Sequence, residues 1–188
     1  MRLRLCSILS LLLPVLAQTE QQVVMENTVQ QQHPTIADLL TLESSASIFY
    51  GYARELKLST TFSDADAKLT VLSPTNKAVM ALARKPHQDP VPDDDGVIVT
   101  EEEFDARSKE NIQRWVSSHI IPQSPIQFDD QTYETLLDEK TLTFSLQKGN
   151  SGPTDWSKAL LNGDVHIVGK REAVNGVIYL IDGTVTLD

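Results

Sequence analysis

The chain has 188 residues, 40% of them hydrophobic and 22% charged, enough for one domain with a real core. Its 26 acidic residues outweigh 16 basic ones, and the formal net charge of −10 disfavours nucleic acid or anionic lipid as a partner. The one cysteine, Cys6, excludes an internal disulfide.

The first residues, "MRLRLCSILSLLLPVLA", read as a secretory signal over 1–17. Arg2 and Arg4 give a cationic start, and Leu5 to Leu16 an apolar stretch too short to cross a bilayer comfortably. Val15-Leu16-Ala17 supplies small residues for cleavage after Ala17. A membrane anchor is the alternative, but Pro14 and the polar run from Gln18 oppose it. Cleavage removes Cys6, and with Arg2 and Arg4 gone 14 basic residues face 26 acidic ones, a formal −12. With no second apolar span, no apolar tail for a glycolipid anchor and no Asn-x-Ser/Thr sequon, the expected product is soluble, in the secretory route or outside the cell.

Residues 18–33 are glutamine-rich and aperiodic, a leader to a single domain over 34–188. From Thr35 the spacing of Ile36, Leu39 and Leu40, and then of Ile48, Phe49, Tyr52, Ala53 and Leu56, predicts two short helices. Thr35 caps the first, and Ser44 or Ser45 the second. Lys68 to Leu72 is a β-rich run. It leads into "SPTN", where Pro74 suits a first helical position and Thr75 or Asn76 can cap. Residues 85–99, within which "KPHQDPVPDDDG" stands, form a proline- and aspartate-rich surface loop.

Thr100 opens a long helix through a capping box with Glu103, and Glu101 and Glu102 complement the helix dipole. Ile112, Trp115, Val116 and His119 share a face, and Pro122 stops the helix. Beyond it the period changes. "TLTFSL", "VHIV", "VIYLID" and "GTVTL" read as short strands, with turns at Asn162-Gly163 and Asn175-Gly176. Helices followed by strands predict an α+β domain with a largely antiparallel sheet.

Candidate chemistry is thin. A Gly-x-Ser-x-Gly elbow needs glycines on both sides of its serine, whereas Ser73 stands between Leu72 and Pro74. Aligning Gly96 with the sixth position of an EF-hand loop puts Val91, which has no side-chain oxygen, at the first ligand position, so a solvated acidic loop is the reading there, with weak divalent-cation binding as the alternative. His33, His87, His119 and His166 lie at no zinc spacing. His166 alternates with Val165 and Ile167 and points to solvent. His119 is either a core-edge histidine holding a backbone carbonyl or a contact residue at a binding surface. Trp115 and Trp156 read as core or core-edge residues. No phosphate loop or dinucleotide fingerprint appears, and no cofactor or metal is expected.

Four segments carry a resemblance. "LTVLSPTNKAVMAL" resembles the first signature of the fasciclin domain, a strand, Phe-Ala-Pro-Thr-Asn/Asp and a helix. "VSSHIIP" resembles its central Tyr/Asn-His segment, "TLLDEKTLTFSL" the strand region that follows, and "VNGVIYLIDGTVTL" its closing signature. They occur in the family's order over Thr35 to Leu187. Leu72 and Ser73 replace the usual Phe and Ala, Ser118 replaces Tyr or Asn, and Tyr179 replaces a frequent His. A single copy with an acidic insertion is most similar to small secreted fungal members.

The resemblance implies a compact fasciclin-type β-sandwich flanked by helices. Val71, Val79, Leu82, Ile112, Trp115, Val116, Val177, Ile178 and Leu180 are its expected core. The "SPTN" corner then serves to turn a strand into a covering helix. The function implied is a secreted, non-enzymatic interaction module acting in adhesion at the cell surface, matrix or cell wall, with a vacuole-like lumen as the alternative location. Its partners would be proteins or glycans, bound at Ser118, His119, Ile120 and Pro122. Two other readings stand beside it: a hydrolase using Ser73, and a lumenal carrier of a small apolar ligand.

Overall fold

The centre of the molecule is a pair of parallel strands from opposite ends of the chain, β1 (Leu69–Pro74) and a closing strand Gly176–Ile181, in register from Leu69 opposite Gly176 to Pro74 opposite Ile181. A computed structural model describes residues 33–88, 100–147 and 155–187. The expected signal, all of the expected leader but His33, and residues 89–99 with most of the EF-hand alignment lie outside the described residues.

Helices come first, as expected. The Thr35 hydroxyl accepts the Asp38 N–H (3.3 Å) and the Asp38 carboxylate accepts the Thr35 N–H (2.8 Å), which starts α1 (Ile36–Leu42) with a capping box. These hydrogen bonds hold the Asp38 carboxyl below its ordinary pKa. For α2 (Ser47–Ala53) the expectation is corrected. Neither Ser44 nor Ser45 caps it, because both lie in a 3₁₀ turn, Ser44–Ala46. The cap comes from Asn76, 28 residues away: its Oδ1 accepts the Ile48 N–H at 3.0 Å and its Nδ2 donates to the Ser44 carbonyl at 2.9 Å.

A third helix, α3 (Ser59–Ser63), precedes β1. Thr75 then caps α4 (Asn76–Ala81), its hydroxyl accepting the Ala78 N–H. Pro74 ends the strand and does not begin the helix, since the ladder to the closing strand runs on through the Thr75 N–H to the Ile181 carbonyl (2.9 Å). The Thr100–Glu103 capping box opens α5 (Glu101–Ser117), which ends ahead of Pro122.

The sheet continues with β2 (Ile120–Ile121), β3 (Thr132–Glu134), β4 (Thr141–Leu146), β5 (Ala159–Leu161), β6 (Val165–Ala173) and β7 (Gly176–Ile181). Their order is β2-β1-β7-β6-β5-β4-β3, and every pairing except β1–β7 is antiparallel. The chain is thus α+β with a seven-stranded mixed sheet and flanking helices. The edge strands β2 and β3 have two and three residues, and Pro122 directly follows β2, so little open ladder is left for another chain to pair with. One expected strand does not form. "GTVTL" has no regular structure, because the chain leaves the sheet after Ile181 and crosses towards α5.

Side-chain alternation sorts the apolar residues into two cores. Leu69, Val71, Ile178 and Leu180 face Phe49, Val79, Trp115 and Val116 under the helices. Leu72, Tyr179 and Ile181 face Phe128, Leu142, Phe144 and Leu161 on the other side. Tyr179 meets Phe128 edge-on at 5.4 Å, and Phe128 meets Phe144 at 5.3 Å. All six residues of β1 are buried, as a strand covered on both faces must be. The expected core residues are all buried or packed against a core, with Leu82, Ile112 and Val177 only partly buried.

Candidate functional site

The central motif "SSHIIP" lies where α5 runs into β2. Helix α5 ends with the Ser118 N–H on the Arg114 carbonyl and the His119 N–H on the Val116 carbonyl, both 3.0 Å. These bonds turn His119 back beneath its own helix. Its Nδ1 lies 2.7 Å from the Trp115 carbonyl, which can only accept, so Nδ1 carries the proton. Nε2 is left with a lone pair and accepts the Val185 N–H at 3.0 Å. The His119 carbonyl also accepts the Leu72 N–H at 2.8 Å, which fixes the residue to β1.

The ring sits 4.7 Å from Trp115 and 5.8 Å from Phe49, centroid to centroid. His119 has no exposed area. Burial lowers its pKa from 6.5 to about 4, the hydrogen bond to Trp115 opposing only part of that shift. The imidazole is therefore neutral at pH 7, and both its nitrogens are committed to structure.

The four expected contact residues differ in exposure. Ser118, His119 and Ile120 are buried and offer no side chain to a partner; of the four, only Pro122 is exposed. The Ser118 hydroxyl donates to the Trp115 carbonyl at 2.8 Å. After Pro122 the chain is pinned by the Thr70 hydroxyl, which donates to the Gln123 carbonyl at 2.7 Å. Ser73 is also fully buried, and its hydroxyl has no hydrogen-bond partner among the described residues. The serine–histidine pair that a hydrolase at Ser73 would need is not formed. His166 behaves as expected, half exposed on β6 and 3.3 Å from the Asp182 carboxylate.

Asn175 escaped the sequence reading except as a turn residue. It is fully buried; its Oδ1 accepts the Ile36 N–H (2.9 Å) and its Nδ2 donates to the carbonyls of Phe62 (2.9 Å) and Asp64 (2.8 Å). One side chain thus joins the start of α1, the end of α3 and the β6–β7 turn. Among the described residues no three His, Cys, Asp or Glu side chains gather as metal ligands. No helix there is long and apolar enough to cross a membrane.

A groove of about 490 Å³ opens beside His119, between the turn after α4, the α5 face carrying Arg114 and Trp115, and residues 184–187. Leu82, Pro86, Trp115, Val185 and Leu187 form its apolar lining, with Arg84, Lys85 and Arg114 as its ionisable residues. The sequence reading missed it because one wall belongs to the segment taken for a strand. The available signal was Arg114, one position before a core tryptophan.

The fasciclin domain family model matches residues 44–186. A FAS1 domain-containing protein of Aspergillus fumigatus is 31% identical over 147 residues, covering 73% of this chain and 62% of that protein. One from Saccharomyces cerevisiae is 30% identical over 188 residues, covering 88% of this chain and 67% of the relative. The chain thus spans less than two thirds of the Aspergillus relative. In the solved structure of a FAS1 domain pair from the insect cell adhesion molecule fasciclin I, the likeness is one of fold: TM-score 0.52 at 12% identity, over 81% of this chain and 51% of that one. With a signature match over most of its length, and with its motif side chains knitting helices to sheet, the chain belongs to the fasciclin domain family.

Proposed function

We propose that this chain is a secreted or lumenal interaction module that takes part in adhesion at the cell surface, extracellular matrix or cell wall, through protein or glycan contacts. One observation carries the reading: three polar side chains of the signature segments are committed to hydrogen bonds that hold the fold. His119 holds Trp115 and Val185, Asn76 holds α2, and Asn175 holds α1 and α3. Binding is then the work of the outer face, on a frame stiffened from within. The likeness to an insect adhesion molecule supports the same class of function.

Within that reading the contact face is centred on Pro122. Ser118, His119 and Ile120 act from below, and the Thr70–Gln123 hydrogen bond keeps the exposed turn in one conformation. The test is retention of the full secreted chain on isolated cell-wall and cell-surface fractions, followed by cross-linking. Wild type is expected to be retained saturably, and Pro122→Asp to lose about tenfold in retention, the size of a lost anchor contact. Absence of retention by folded wild type overturns the adhesion reading. Equal retention of folded Pro122→Asp overturns the placement of the face.

A further inference from the structure

We propose that the groove beside His119 is a binding site for a small amphipathic anion, a linear aliphatic carboxylate. Its volume of about 490 Å³ lies within the ~300–1,000 Å³ typical of small-molecule sites. Leu82, Pro86, Trp115 and Val185 provide an apolar bed for an alkyl chain, and Leu187, 40% exposed, stands at the edge where such a chain would cover it.

Charge decides the head group. The protein carries a formal −10, yet the described lining includes Arg84, Lys85 and Arg114 and no acidic residue. The groove's own lining is cationic through Lys85 and Arg114 and favours an anion there, while Asp138 and Glu139 stand across Arg114 and Leu187 in the adjoining depression. The two residues nearest in role differ. The Lys85 ammonium is already spent on the carbonyls of Met80 (2.9 Å), Leu82 (3.0 Å) and Val79 (3.4 Å), so it contributes fixed positive charge without spare donors. Arg114 makes no side-chain hydrogen bond or ion pair among the described residues, and its planar fork suits a carboxylate bidentately. One open guanidinium over an apolar bed matches a monoanion with a hydrocarbon body better than a phosphate or a polyanion.

The walls are set in advance. His119 binds the Trp115 carbonyl with one ring nitrogen and the Val185 N–H with the other, so the two sides of the groove keep their spacing without ligand. The inference does not rest on the adhesion reading, and retention on walls or surfaces is not its readout.

The experiment is calorimetric titration of the full secreted chain with decanoate below its micelle concentration, alongside decanol and decyltrimethylammonium. Near-UV circular dichroism confirms that each variant is folded. Decanoate is expected to bind one saturable site, decanol about tenfold more weakly, and the cation not measurably. Arg114→Gln, an exposed position, should weaken decanoate about tenfold, as the loss of one charge-assisted contact implies, and leave decanol unchanged. Arg107→Gln on the same helix should leave decanoate binding unchanged. The proposal is overturned if folded wild type binds no decanoate, if decanol binds equally well, or if Arg114→Gln binds decanoate like wild type.

Discussion

The Nε2 atom of His119 accepts the backbone N–H of Val185, 66 residues further along the chain. That bond ties the segment after the last strand to the end of α5, while the opposite nitrogen bonds the helix itself. His119→Ala removes an aromatic ring from a closed site and strands a buried N–H and a carbonyl. The expected loss is about 3 kcal/mol or more, read as a lower urea midpoint. His119→Gln, which can still donate to Trp115, should lose less.

The same residue gives a pH dependence. Its folded pKa of about 4 lies below the ordinary 6.5, so between these values the unfolded chain binds more protons than the folded one. Stability from this group is complete above pH 6.5, declines as pH falls through the window, and is fully lost below about 4. The total is about 3 kcal/mol. Urea unfolding at intervals from pH 7.5 to 3.5 should show this slope in wild type and a smaller one in His119→Gln; equal slopes would assign the effect to other groups.

Asn76 and Asn175 act as tertiary caps. Asn76→Ala leaves the Ile48 N–H without its acceptor and should cost about 1–2 kcal/mol in chemical denaturation. Asn175→Asp keeps the size but sets a carboxylate against the carbonyls of Phe62 and Asp64, where an amide now donates. It is expected to destabilise by more than Asn76→Ala, since an uncompensated buried charge replaces a satisfied amide.

Gly176 is needed by geometry. Its φ is +151°, and a Cβ there would lie 1.9 Å from the Leu69 carbonyl oxygen at the first rung of the β1–β7 ladder. Gly176→Ala should destabilise by several kcal/mol, or about 3 at least, measured by thermal melting, because backbone and not a yielding side chain is in the way.

Ser73→Ala should do the opposite. The hydroxyl is buried and has no hydrogen-bond partner among the described residues, so its removal is expected to be neutral or to stabilise by about 1 kcal/mol, seen as an unchanged or higher Tm. A clear drop in Tm would mean that this hydroxyl has a partner.

The sequence by itself determined the elements whose cause is local. The Thr35 cap, the Thr100 capping box, the apolar face of α5, the solvent-facing His166 and the turns at Asn162-Gly163 and Asn175-Gly176 all follow from residues a few positions apart. Such interactions can be read along the chain. The ordered signature segments carried the family and fold with them.

Only the tertiary structure decided what the polar signature residues do. A histidine on an apolar helix face reads alike as a ligand contact or a buried tie, and the choice depends on a Val185 N–H that no local pattern announces. Asn76 looked like a cap for its own helix and caps α2 instead. "GTVTL" has the alternation of a strand, but the sheet offers it no partner after Ile181, and its Val185 N–H is satisfied by an imidazole. Buried backbone groups must be paired, and which distant side chain pairs them is settled by packing.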